Sequence, residues 1–262
     1  MFTLDCSTRA QALLTLSAGF GCSVMELKKV LLSLDLEQIY ETDHSIMVDS
    51  QQYLREYVCT ELGSPGEFTT AYWFHGTRTF TDNTFEEGLL ALNQSESLVM
   101  DMLVNQAPDS EVKEKLQAWN FHAGVPDKLF SMRTTNKMHW GPYGHLVREV
   151  HLHAHKLRLH NYMRLPELVE DVCNAYQEKH GQDLTGHYLN VLKPCIVCFR
   201  GDIAYEKGAL EAALGYAYTS VRGLPPDSSA VFGIDRHGIS VSGNAIVNVE
   251  FTNSHEIYGQ IS

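Results

Sequence analysis

Apolar residues recur at helical spacing through the first sixty positions of the chain. Ala10, Leu13, Leu14 and Leu16 form one stripe, which Gly19 and Gly21 interrupt. Ser23-Val24-Met25-Glu26 reads as a capping box, in which the serine hydroxyl takes an orphan amide and the glutamate reaches back to the cap. Met25, Leu27, Val30, Leu31 and Leu34 then keep to one helical face. A further helix is predicted over residues 50–62, and Gly63-Ser64-Pro65-Gly66 reads as a boundary.

Beyond that boundary the texture changes to short strands among helices. Ala71-Tyr72-Trp73-Phe74-His75 is rich in strand formers and stops at Gly76. Residues 83–92 read as a short helix, 129–132 as a short strand, and 145–155 as an alternating strand with Leu146, Val150, Leu152 and Ala154 on one side. Residues 165–179 read as a helix with Pro166 in its first turn. A buried strand at 196–199, a helix at 206–222 and strands at 231–234, 239–241, 246–251 and 257–261 complete the pattern. The expected fold class is α+β: an N-terminal helical region over residues 1–66, then a mainly antiparallel sheet with helical insertions over 67–262.

Composition narrows the function classes. The chain has 262 residues, 44% apolar and 20% charged, and its net charge is 20 − 32 = −12 with histidine neutral. That excludes a generally basic nucleic-acid coat, because phosphate affinity comes from clustered Lys and Arg. A DNA-binding reading of the first two helices is disfavoured against an ordinary helical hairpin, since Lys28 and Lys29 are nearly the only basic residues there. No stretch reaches the roughly 20 apolar residues of a membrane span. Asp5, Thr15, Ser17 and two glycines make a poor signal-peptide core, and six irregularly spaced cysteines read as ordinary thiols. A cytoplasmic protein without membrane partners is expected.

Candidate chemistry gathers at Phe74-His75-Gly76-Thr77-Arg78. A histidine at a strand end is followed by a glycine that admits a ligand close to the backbone, a hydroxyl and a charge able to meet a phosphate. Glu87-Gly88-Leu89 follows. In this order the chain resembles the His-Tyr-Glu branch of the ADP-ribosyltransferases, which includes diphtheria-type toxins and poly(ADP-ribose) polymerases. Leu129-Phe130-Ser131-Met132 with Tyr143 is similar to the family's second element, with Phe where Tyr is usual. Gly144-His145-Leu146-Val147-Arg148-Glu149-Val150 looks like its third. Asn244-Ala245-Ile246-Val247 stands where the family has its catalytic Glu. An alternative alignment places the second aromatic at Tyr205 or Tyr216.

The resemblance implies a split-sheet transferase core that uses NAD as co-substrate. His75 would hydrogen-bond a ribose hydroxyl, Gly76 would grip the carboxamide, and Thr77 and Arg78 would lie towards the adenosine half. Phe130, Ser131 and Tyr143 would enclose the nicotinamide. Breaking the nicotinamide bond leaves a cationic ribose, so replacing the carboxylate by Asn244 costs several kcal/mol of stabilisation. Poly-ADP-ribose elongation is therefore not expected, while single-unit transfer to a protein or nucleic-acid acceptor is. Glu250 and Asp235 are nearby acids that could restore the charge. A microbial toxin or effector with a neutralising partner fits this reading, as does an inactive NAD- or ADP-ribose-binding module.

A competing reading is a zinc hydrolase. On a strand, His151, His153 and His155 would share a face, as in a zinc site with an open position. Cys195 and Cys198 would point to opposite faces and form no such site.

Overall fold

The sequence folds into six β-strands and eleven α-helices, with short 3-10 and π turns between them, over residues 1–252, the part that the computed structural model describes. In chain order they are β1 (Phe2–Leu4), α1 (Arg9–Phe20), α2 (Val24–Ser33), α3 (Leu36–Thr42), α4 (Ser50–Leu62), β2 (Phe68–Thr79), α5 (Leu92–Asn105), α6 (Ser110–Ala118), α7 (Lys128–Thr135), β3 (Tyr143–His145), α8 (Glu149–Leu152), α9 (Glu167–His180), α10 (Thr185–Val191), β4 (Lys193–Asp202), α11 (Glu206–Val221), β5 (Gly233–Asp235) and β6 (Ile246–Phe251). The fold class is α+β. The strands are ordered β5-β3-β2-β4-β6, with β1 beside β2.

The chain divides into two compact units. The first comprises Met1–Phe74, Gly144–Leu159 and Arg200–Ile234. Here α11 packs on α1, α2 and α4. Its Gly208, Ala209, Ala212, Ala213 and Gly215 are all buried, and small side chains let helices approach closely. Leu27, Leu31, Leu54 and Val58 close the core beneath it. The capping box forms as expected: Glu26 N donates to Ser23 Oγ at 3.2 Å, and Ser23 N to Glu26 Oε2 at 2.8 Å. Arg222 then donates to the Leu31 and Leu34 carbonyls at the end of α2, where a cation suits the helix dipole. In this unit β1 runs parallel to β2, and Phe74 pairs with His145 of β3.

The second unit comprises His75–Tyr143, His160–Phe199 and the chain from Asp235. β4 and β6 pair antiparallel from Cys195↔Phe251 to Phe199↔Ile246. Helices α5, α6, α7, α9 and α10 share a core built around Leu103, Leu116, Trp119, Val172, Tyr176 and Tyr188.

Three stretches differ from the sequence expectation. Residues 83–92 form a loop, because the Asn83 side chain accepts the Phe85 amide at 2.9 Å and diverts the backbone from helix. Residues 129–132 lie in α7, whose N-cap Asp127 accepts the Phe130 amide at 2.8 Å; four apolar residues fit a helix turn as well as a strand. Past His145 the expected strand becomes α8, since Leu146, Val147 and Val150 are all fully buried at helical rather than alternating spacing. Residues 239–241 contribute only a bridge between Val241 and Leu89, and residues 257–261 lie outside the described residues. Among the described residues no single helix is long and apolar enough to cross a membrane.

Truncating the fully buried Leu31 to Ala is expected to cost about 2–5 kcal/mol. Met25→Ala, on the same helix but 74% exposed, should change stability by less than about 0.5 kcal/mol. Urea denaturation of the two variants checks the pair.

Candidate functional site

β2 supplies the first wall of a cleft of about 560 Å³ in the second unit. Side chains alternate along a strand, so His75, Thr77 and Thr79 share one face of it. The remaining walls come from the 82–90 loop, the start of α5, residues 139–143, Tyr162 and the start of α9. Leu89, Leu98, Val99, Met102 and Leu168 make much of the surface apolar, and the rings of Phe85, Trp140, Tyr143 and Tyr162 line it. An apolar cavity of this size with a few convergent polar groups suits a small organic ligand.

A backbone contact fixes the geometry of His75. Its Nδ1 lies 2.7 Å from the Tyr143 carbonyl oxygen. A carbonyl only accepts, so Nδ1 carries the proton. Burial pushes the imidazole below its ordinary value, against the opposing effect of that hydrogen bond. The ring is therefore neutral near pH 7, and Nε2 carries a lone pair with no partner among the described residues. The cleft thus receives one acceptor nitrogen in a fixed tautomer.

The loop after β2 is built rather than slack. Asn83 donates to Thr79 Oγ1 at 2.9 Å, and Gly88 N donates to the Phe85 carbonyl at 2.8 Å. Phe85 takes φ of 55°, a left-handed value unusual for a bulky residue. Gly88, at φ of 89°, lies so close to the 241–243 segment that a Cβ would sit 1.8 Å from the Val241 carbonyl oxygen. Only glycine fits there, which explains Gly88-Leu89 in physical terms.

Several expected site residues take other roles. Arg78 lines the cleft but is 5% exposed, and its guanidinium is committed to backbone. Nε donates to Leu192 O at 3.1 Å, Nη1 to Met163 O at 2.7 Å, and Nη2 to Leu189 O and Leu192 O at 2.7 and 2.6 Å. Two of those carbonyls end α10, where the helix leaves orphan acceptors and favours a cation. The expected phosphate contact is corrected to a structural clamp.

Phe130 is buried in the helical core, Ser131 is exposed on α7, and neither lines the cleft. Tyr143 does line it; its hydroxyl donates to the Met138 carbonyl, and burial pushes the phenol up, with the charges of Asp235 and Glu167 adding to the shift. Tyr205 is the exposed N-cap residue of α11 and Tyr216 a buried residue of that helix, so of the candidates for the second aromatic element it is Tyr143 that lines the cleft. Asn244 is exposed in a short turn before β6, and Glu250 lies on β6 opposite Ile196; neither lines the cleft. Asp235 faces His237 at 2.9 Å.

The histidine row is also corrected. His151 lies in the last turn of α8 with its Nε2 at 2.8 Å from the Phe74 carbonyl oxygen, and His153 and His155 follow in a turn. Among the described residues no three His, Cys, Asp or Glu side chains gather to hold a metal ion.

A group absent from the sequence expectation stands at the cleft instead. Glu167 opens α9, its Oε1 3.3 Å from Arg133 Nη2 and its Oε2 accepting from the Tyr162 hydroxyl at 3.4 Å. Arg133 also donates to Asp171, whose carboxyl burial pushes up while Arg133 pulls it down. Glu167 follows Pro166 in the first turn of a recognisable helix, which is the signal that marks it, though nothing in the sequence places that turn beside β2.

Comparison with protein-family models, with curated proteins and with solved structures finds no match.

Two outcomes follow. Arg78→Met keeps the apolar stem but strips the donors from two buried carbonyls and one part-buried one, so it should cost about 3 kcal/mol or more in urea denaturation. For His75, folded and unfolded chains are both neutral above about pH 6.5. Below that the unfolded chain takes a proton that the buried imidazole resists, so stability falls with acidification. His75→Gln should flatten that decline in denaturation midpoints measured from pH 7.5 to 5.

Proposed function

We propose that the cleft binds NAD and that the chain is a mono-ADP-ribosyltransferase, transferring one ADP-ribose unit to a macromolecular acceptor with release of nicotinamide. The observation that carries this reading is His75. Its Nδ1 is held by the Tyr143 carbonyl, which leaves Nε2 to accept a hydrogen bond inside a cleft lined by rings. A ribose hydroxyl is a donor of the required kind. The planar rings of Tyr143, Trp140, Phe85 and Tyr162 supply faces for a nicotinamide ring. Gly76, with no side chain, lets the β2 backbone approach the ligand. The order strand–His–Gly–Thr, then Gly88-Leu89, then Tyr143 supports the same reading.

Each residue's part follows from its position. His75 orients the sugar, the rings hold the base and exclude water, and the glycine-clamped 82–90 loop closes one side. Positioning of this kind lowers the entropic part of the barrier. The zinc-hydrolase reading has no geometric support, because its three histidines sit on a helix end and turn.

NAD at millimolar concentration is expected to raise the melting temperature of the wild-type chain. His75→Ala should abolish both that rise and the transfer of labelled ADP-ribose to a cell extract. No shift with wild-type protein would refute the reading, while a shift without nicotinamide release would mark a binding module that does not turn NAD over.

A further inference from the structure

Cleavage of the nicotinamide bond moves positive charge onto the ribose, and a negative group close to it lowers the barrier. Asn244 supplies no charge, and neither it nor Glu250 lines the cleft. Four carboxylates do line it: Asp82, Glu86, Glu87 and Glu167. Asp82, Glu86 and Glu87 are exposed on the loop, where water screens them. Glu167 is 30% exposed and held on two sides by Arg133 and Tyr162.

We propose that Glu167 is the carboxylate that faces the cationic ribose in this cleft, a role that rests on the NAD reading above. A carboxylate offers about four lone-pair sites. Arg133 and Tyr162 each take one, both at 3.3 Å or more, and the others remain for a ligand hydroxyl. Its place at the first position of α9 also suits a negative charge, because the helix dipole is positive there. Asp171 is 4% exposed beneath Arg133 and fixes the guanidinium, so the Glu167 carboxylate keeps one orientation. Glu167 also bears electrostatically on Tyr143, whose carbonyl sets the His75 tautomer. Acid and imidazole therefore both line the one cleft, each tied to Tyr143.

The chemistry balances without a further reactant. The C1′–N bond breaks with its electron pair going to the pyridinium nitrogen, which becomes neutral nicotinamide. The acceptor's lone pair forms the new bond to C1′, and its proton leaves to solvent. Nothing is oxidised or reduced.

The test uses the full chain with NAD, reading the melting shift and nicotinamide release side by side. Glu167→Gln keeps the size and one acceptor but removes the charge. It should retain the NAD-induced melting shift and a KM within about threefold of wild type, while kcat falls about a hundredfold or more. Glu167→Asp should recover part of that loss, which a merely structural role would not produce. Release by Glu167→Gln within threefold of wild type would overturn the assignment, as would a hundredfold loss carried instead by Glu86→Gln or Glu87→Gln. Loss of the melting shift in Glu167→Gln alone would reassign the residue to binding. Absence of any shift in wild-type protein would remove the NAD reading itself and this inference with it.

Discussion

The contact from His75 Nδ1 to the Tyr143 carbonyl does two things at once. It ties the middle of β2 to the start of β3, and it decides which ring nitrogen carries a proton. Without it the imidazole would sample both tautomers, and the cleft would present a donor as often as an acceptor. Burial adds to the effect by keeping the ring neutral. A backbone carbonyl is well suited to the task because its direction is fixed by the strand and no side chain has to be ordered.

The rest of the second unit keeps that bond in place. Arg78, three residues on in the same strand, draws β2 against the end of α10 through the Leu189 and Leu192 carbonyls and against the Met163 carbonyl. The Gly88 contact with Val241 fixes the loop from the other side. Both devices place a constraint that would be costly to break within a few residues of the candidate site. The strained φ of Phe85 persists because the Asn83 side chain and the Gly88 amide hold the residue on both sides.

Local signals in the sequence translate well, and long-range ones do not. The Ser23 capping box, the helices of the N-terminal region, the α9 and α11 segments and the β6 strand all appear close to where periodicity puts them. Gly88-Leu89 is recognisable because a glycine with no alternative leaves a mark. The stretch 129–132 is not, because Asp127 two residues earlier turns an ambiguous apolar run into α7. Arg78 was legible as a charge next to His-Gly-Thr, but its partners lie about a hundred residues later and alternation alone sends it to the opposite face of β2. Glu167 was invisible for the same reason: the pairing that brings α9 to the cleft is tertiary.

The distribution of charge sharpens what the cleft favours. Both lining arginines are committed, Arg78 to carbonyls and Arg133 to Asp171 and Glu167, so the walls carry more free negative than positive charge. In NAD the positive charge starts on the nicotinamide ring and moves to the sugar as the bond breaks. A carboxylate equidistant from both would stabilise ground and transition states alike and leave kcat unchanged. Only a charge nearer the sugar than the ring gains as the reaction proceeds. Exposed acids on the 82–90 loop act across water and are screened within about 10 Å, so their contribution is diffuse. A half-buried acid fixed by Arg133 and Tyr162 acts through a poorer dielectric and from one direction, which makes the position of the α9 first turn, rather than the number of acids, the quantity that sets catalytic power in such a cleft.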